Sequence, residues 1–215
     1  MQRALQLAML EEVRAPEPPI RLSAIFFEPG SADQVAAELR SLGEVVVGVG
    51  APLSGRRPEL ERRGVPPQPE SPEAARLVEL LGMPVFSPED SDDEDGAVDE
   101  GSYHDFPVFE TNADGVFSAL QGRRLPAKRH PYGMQLRIEE LLGDRVTDES
   151  GDLWHRRIEV LDAAACALCA HRYAVGHASW LGAVVLPGSD LPQTFRSAGV
   201  MPPVERLQLP PESTE

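Results

Sequence analysis

The chain has 215 residues, a formal net charge of −15 and 41% hydrophobic residues. That length suits one good-sized domain, and the acid excess repels phosphate backbones at long range, so any nucleic-acid contact needs a local basic groove. No apolar run approaches the roughly 20 residues of a bilayer span, and the only cysteines, Cys166 and Cys169, sit in an alanine-rich helical pattern, so the expectation is a cytoplasmic protein with no membrane contact.

In chain order, residues 1–19 carry a short apolar stretch that meets Glu11 and Glu12 at once, which predicts an amphipathic helical turn rather than a signal peptide. The run 22–27 (LSAIFF) predicts a strand. Ser31 and Gln34 have capping-box spacing, so a helix is expected from Ala32, with Val35, Leu39 and Leu42 on its apolar stripe and Gly43 as its stop. Residues 44–50 (EVVVGVG) show no alternation, the pattern of a strand buried on both faces. The loop 51–55 leaves its C-terminal end, where open α/β sheets usually bind ligands. Ser54 lies in that loop without a G-x-S-x-G around it, so a hydrolase serine is not supported.

Residues 56–104 carry no strong sheet signal. Ser71 and Pro72 start a short helix that Gly82 ends. The acidic run 89–95 reads as a solvated, mobile loop. A calcium loop fails on spacing, because Gly96 would put Ser91 at the first ligand position and Ser102 at the last. Residues 107–110 predict a short strand, and Thr111 or Asn112 caps a helix bearing Val116, Phe117 and Leu120. The basic loop 123–130 follows, then a helix from Pro131 to near Gly143, a long helix over 152–174, and a last strand over 180–187. The fold class is α/β, a mixed sheet covered by helices with a long helical and loop insertion. The expected organisation is an N-terminal segment 1–19, a domain 20–188 with the acidic loop 89–100 inserted, and a Pro-rich tail 189–215.

Several residues could carry chemistry. On the long helix, His155, Glu159, Asp162 and Cys166 are four, three and four apart, which predicts one stripe. Asp162, flanked by Leu161 and alanines, lies where that helix turns to the core; it either bonds a neighbouring loop or an arginine such as Arg137, or holds a metal. Glu110 ends a strand and either favours the following helix N-terminus or faces Asp162 as a second ligand. Two such carboxylates, with Glu159 as a third, suit Mg²⁺ or Mn²⁺. Arg123, Arg124, Lys128, Arg129 and His130 form the one dense positive cluster; they either pair with surface acids or contact phosphate, with Arg124, Lys128 and Arg129 the substrate-binding candidates. Cys166-x-x-Cys169-x-His171 lies inside a helix with no second cysteine pair, so packing rather than zinc is expected.

Taken in order, VVVGVGAPLSG (45–55), RRPELERRGV (56–65), FETNADGVFSAL (109–120), KRHPYGMQLRIEELL (128–142) and IEVLDAAACALCAHRYAVG (158–176) resemble the family called domain of unknown function 429. That resemblance, over about 20–188, implies a ribonuclease-H-like fold and a predicted nuclease. It implies catalytic carboxylates at Glu110 and Asp162. No counterpart of the family's first-strand acid is present, and Gly50 stands where the family usually has Asp. Two functions follow as expectations. One is a degenerate, non-catalytic ribonuclease-H-like domain that serves as a binding or scaffold protein; nucleic acid is a separate expectation for the 123–130 loop. The other is an active metal-dependent phosphodiesterase using Glu110 and Asp162.

Overall fold

The computed structural model describes residues 6–12, 20–26, 31–53, 55, 57–88, 95–98, 102–148, 153–188 and 196–197. A hairpin of β1 (Gln6–Glu12) and β2 (Ile20–Phe26) precedes α1 (Ala32–Ser41), β3 (Val47–Val49), α2 (Pro58–Arg62) and α3 (Pro72–Leu81). Next come β4 (Asp95–Ala97), α4 (Ser102–Asp105), β5 (Val108–Thr111), α5 (Ala113–Gln121), β6 (Arg123–Arg124), α6 (Pro131–Gly143) and β7 (Val146–Asp148). A 3-10 turn (Leu153–His155) leads to α7 (Ile158–Ala174), β8 (Ala178–Leu181), β9 (Val184–Pro187) and β10 (Arg196–Ser197).

The architecture is α/β, as expected. A five-stranded sheet in the order β3-β5-β9-β8-β4 has β3, β5 and β9 parallel and β8 antiparallel to both its neighbours. The expectation that 22–27, 45–49 and 108–110 share one sheet is half right. β3 and β5 are paired, but β2 belongs to a separate sheet of order β1-β2-β7. Residues 6–12 are a strand and not a helical turn, and α7 lies against β1. β1 thus belongs to a separate sheet beside α7, and the edges of the larger sheet are β3 and β4.

Helix ends follow local chemistry. Ser71 Oγ accepts the Ala74 N–H at 3.2 Å, Asn112 Oδ1 accepts the Gly115 N–H at 2.9 Å, and His130 Nδ1 accepts the Tyr132 N–H at 3.2 Å. α1 starts at Ala32 with Ser31 at its N-cap position, as the spacing predicts, although the Ser31 side chain makes no cap hydrogen bond. The 152–174 helix is shorter than expected: α7 starts at Ile158, and His155 sits in the separate 3-10 turn.

Two more expectations change. Residues 180–187 are not one strand but most of the β8–β9 hairpin, turned by Gly182 and Ala183. Gly182 has φ +57° at the first turn position, the requirement of a II′ turn. Residues 89–94 of the acidic run lie outside the described residues, and from its last residue Asp95–Ala97 is an edge strand on β8, with buried Val98 donating its N–H to the Ala178 carbonyl at 2.9 Å.

The sheet is covered on both faces, and strand alternation assigns each residue to one of them. Val47, Val49 and Val108 pack with Ala32, Val35, Leu39 and Leu77 of α1 and α3. Phe109 packs on the other side with Phe117 of α5 and Leu161, Leu168 and Tyr173 of α7. α7 approaches so closely that a Cβ on Gly48 would meet the Cys166 carbonyl oxygen at 2.7 Å, and one on Gly50 would meet Cys166 Sγ at 2.7 Å. The glycines of the 44–50 run are thus contact points for the helix.

Candidate functional site

Glu110 is two residues beyond Val108 and shares its side of β5, whereas α7, which carries Asp162, covers the Phe109 side. The two acids accordingly have different partners. Glu110 is 3% exposed, and its carboxylate is gripped from the segment that leaves β3. Arg57 Nε donates to Oε1 at 2.5 Å, Arg57 Nη2 donates to Oε2, and the Leu53 N–H donates to Oε2 at 2.9 Å. This is a forked, charge-assisted pair at the C-terminal ends of parallel strands. Arg57 was not among the candidate residues. Its only sequence signal is an arginine pair after Gly55 and before Pro58, in the loop where a ligand was expected.

Asp162 Oδ2 accepts from Lys128 Nζ at 2.6 Å, so the basic loop, not Arg137, supplies its partner. Its Oδ1 is buried with no hydrogen-bond partner. Burial raises the Asp162 pKa above the ordinary aspartate value, and the Lys128 hydrogen bond offsets only part of that. Arg137 instead donates to Asp114 Oδ1 at 2.6 Å and to the carbonyls of Gly133 and Pro126 at 2.7 and 3.0 Å, with its guanidinium 5.5 Å from the Phe117 ring centroid.

The remaining candidates divide clearly. Glu159 is exposed in the first turn of α7, and His155 lies outside that helix. Among the described residues no three His, Cys, Asp or Glu side chains form a group that could hold a metal ion. With both Glu110 oxygens already bonded, the residues present do not fit an Mg²⁺ or Mn²⁺ centre built on Glu110, Glu159 and Asp162. Cys166 and Cys169 are buried free thiols; burial pushes Cys169 up to about 12 and raises Cys166 as well. Arg124, Arg129 and His130 are exposed, while Lys128 is drawn to Asp162. A shallow cavity of about 140 Å³ lies at the opposite, amino ends of β3 and β5, lined by Val45, Met83, His104 and Pro107 among others.

Residues 90–186 match the family described as "Protein of unknown function (DUF429)". The chain resembles DUF429 over that stretch, which runs from before β4 into β9 and contains Glu110, Lys128 and Asp162. The 45–55 and 56–65 motifs, with Gly50 and Arg57, lie outside the matched residues. No curated protein and no solved structure matches the chain.

The weak grip on Asp162 has a measurable consequence. Because its folded pKa is raised, the native state binds more protons than the unfolded chain between the ordinary aspartate value and the raised one. Its contribution to stability is therefore greatest at the acid side of that window and declines as pH rises through it. Asp162→Asn should remove this slope. It should also leave stability near neutrality within about 1 kcal/mol, since Lys128 is 36% exposed and can turn to water. Urea denaturation of both proteins across that pH range checks this. A loss of several kcal/mol would show that Asp162 is a structural keystone instead.

Proposed function

We propose that this chain is a degenerate ribonuclease-H-like protein that binds nucleic acid at the 123–130 loop and does not cut it. The open mixed sheet with helices on both faces is consistent with a ribonuclease-H-like fold, and the DUF429 match supports the kinship. One observation carries the functional reading: each of the two candidate catalytic acids holds a cation of the chain's own, Arg57 on Glu110 and Lys128 on Asp162. Metal-assisted phosphoryl transfer needs carboxylates free to clamp divalent ions at the reacting phosphate. A carboxylate already neutralised by a fixed guanidinium is a poor ligand for such an ion.

The phosphate partner is argued from charge. In a chain of net charge −15, exposed Arg124 and Arg129 form a local positive surface, and the backbone of β10 adds a strand beside Arg123 and Arg124. Free buried thiols suit a reducing, cytoplasmic setting. The alternative, an active metal-dependent phosphodiesterase, draws support from the unpartnered Asp162 Oδ1. Among the described residues no helix is long and apolar enough to cross a membrane.

Calorimetric titration of the whole protein with Mn²⁺, alongside a nuclease assay on labelled single- and double-stranded substrates, separates the two. The expected result is no saturable Mn²⁺ binding in the micromolar range and no cleavage. Cleavage that disappears in Asp162→Asn would falsify the degenerate reading.

A further inference from the structure

The ion pairs on the two candidate acids are built differently, and the difference points to a device. Arg57 and Glu110 side chains are 11% and 5% exposed, doubly bonded and reinforced by a backbone amide. Lys128 and Asp162 are 36% and 21% exposed and share one hydrogen bond, while the second Asp162 oxygen has no partner. The lysine belongs to the basic loop, beside exposed Arg129 and His130. It is the cation of that loop bonded to Asp162 through a single, partly exposed contact, whereas Arg123 donates to Gln121.

Resting on the nucleic-acid reading above, we propose that the Lys128–Asp162 pair is a latch on the binding surface: a nucleic-acid phosphate takes Lys128 from Asp162, and Asp162 takes up a proton in exchange. The balance is simple. Lys128 keeps its charge and trades a carboxylate for a phosphate oxygen, and one proton moves from solvent to the Asp162 carboxyl. Asp162 faces Lys128 from the loop, Asp114 from α5, Arg137 from α6 and Cys166 on its own helix. Arg137 is committed to Asp114 and two carbonyls, so Lys128 is the group whose departure leaves Asp162 least compensated. A partly buried carboxylate that loses its cation shifts toward its neutral form.

The latch predicts a gain where a catalytic or metal role predicts a loss. The probe is a fluorescein-labelled single-stranded oligodeoxynucleotide, read by anisotropy against salt. Asp162→Asn should bind about three- to tenfold tighter than the wild type and steepen the salt dependence by roughly one phosphate contact. Removing a negative charge alone would strengthen binding too, so the same change is made in Lys128→Gln, where the latch predicts little further gain. Calorimetry in two buffers of different ionisation enthalpy should show proton uptake by the wild type on binding and none by Asp162→Asn.

Equal gains in the wild-type and Lys128→Gln backgrounds, or an Asp162→Asn protein that binds no better than the wild type, overturn the latch. If Arg124→Gln/Arg129→Gln abolishes binding in that case, the nucleic-acid reading survives without it. If neither the wild type nor Asp162→Asn binds, both fall. Binding by Asp162→Asn alone supports a latch closed at rest.

Discussion

Glu110→Gln should cost about 3–5 kcal/mol of unfolding free energy, the toll of stripping one partner from a buried ion pair. The Arg57 guanidinium, 11% exposed, would keep its charge and lose the forked acceptor it fits. The amide that replaces the carboxylate offers one acceptor oxygen to three donors, Arg57 Nε, Arg57 Nη2 and the Leu53 N–H. Arg57→Lys keeps the charge without the fork and should fall between the wild type and Glu110→Gln. Replacing both partners by apolar residues, Arg57→Met with Glu110→Leu, should recover most of the loss, since no buried charge is then stranded. Urea denaturation of the four proteins measures this. A Glu110→Gln protein as stable as the wild type would return Glu110 to the pool of free carboxylates and revive the catalytic reading.

Arg137→Met is expected to be as damaging, again by about 3–5 kcal/mol. Arg137 is 2% exposed and ties α6 to the start of α5 through Asp114 and to the basic loop through the Pro126 carbonyl. Methionine keeps much of the apolar stem near Phe117 but strands Asp114 and two carbonyls. The loss should appear as a lower urea midpoint at unchanged slope, the mark of a changed stability rather than a changed unfolded state. Asp162→Asn provides the contrast: another acid of the same neighbourhood, but one whose partner is free to reach water.

Oligonucleotide binding and stability thus report on different pairs. Arg57–Glu110 and Arg137–Asp114 are enclosed and hold elements together. Lys128–Asp162 is half open and holds a surface loop.

Much of the local structure was legible in the sequence because the bonds that fix it are local. Ser71 and Asn112 accept N–H groups three residues ahead, Pro131 opens α6, and Gly82 and Gly122 close helices at φ +62° and +63°. The unalternating 44–50 run correctly announced a doubly covered strand, with helices α1 and α3 on one face and α5 and α7 on the other. What the sequence left open was every choice made across the chain. The 22–27 run signalled a strand but not its sheet, because a strand's own pattern does not name its neighbour. The acidic run hid β4, whose place depends on β8, more than eighty residues away in chain order. The site turned on the same kind of choice. Glu110 and Asp162 looked like a pair, but strand alternation puts one on the α1–α3 side and the helix bearing the other on the opposite side. Their actual partners lie 53 and 34 residues away, Arg57 and Lys128, and only packing brings a guanidinium or an ammonium that far along the chain to a buried carboxylate.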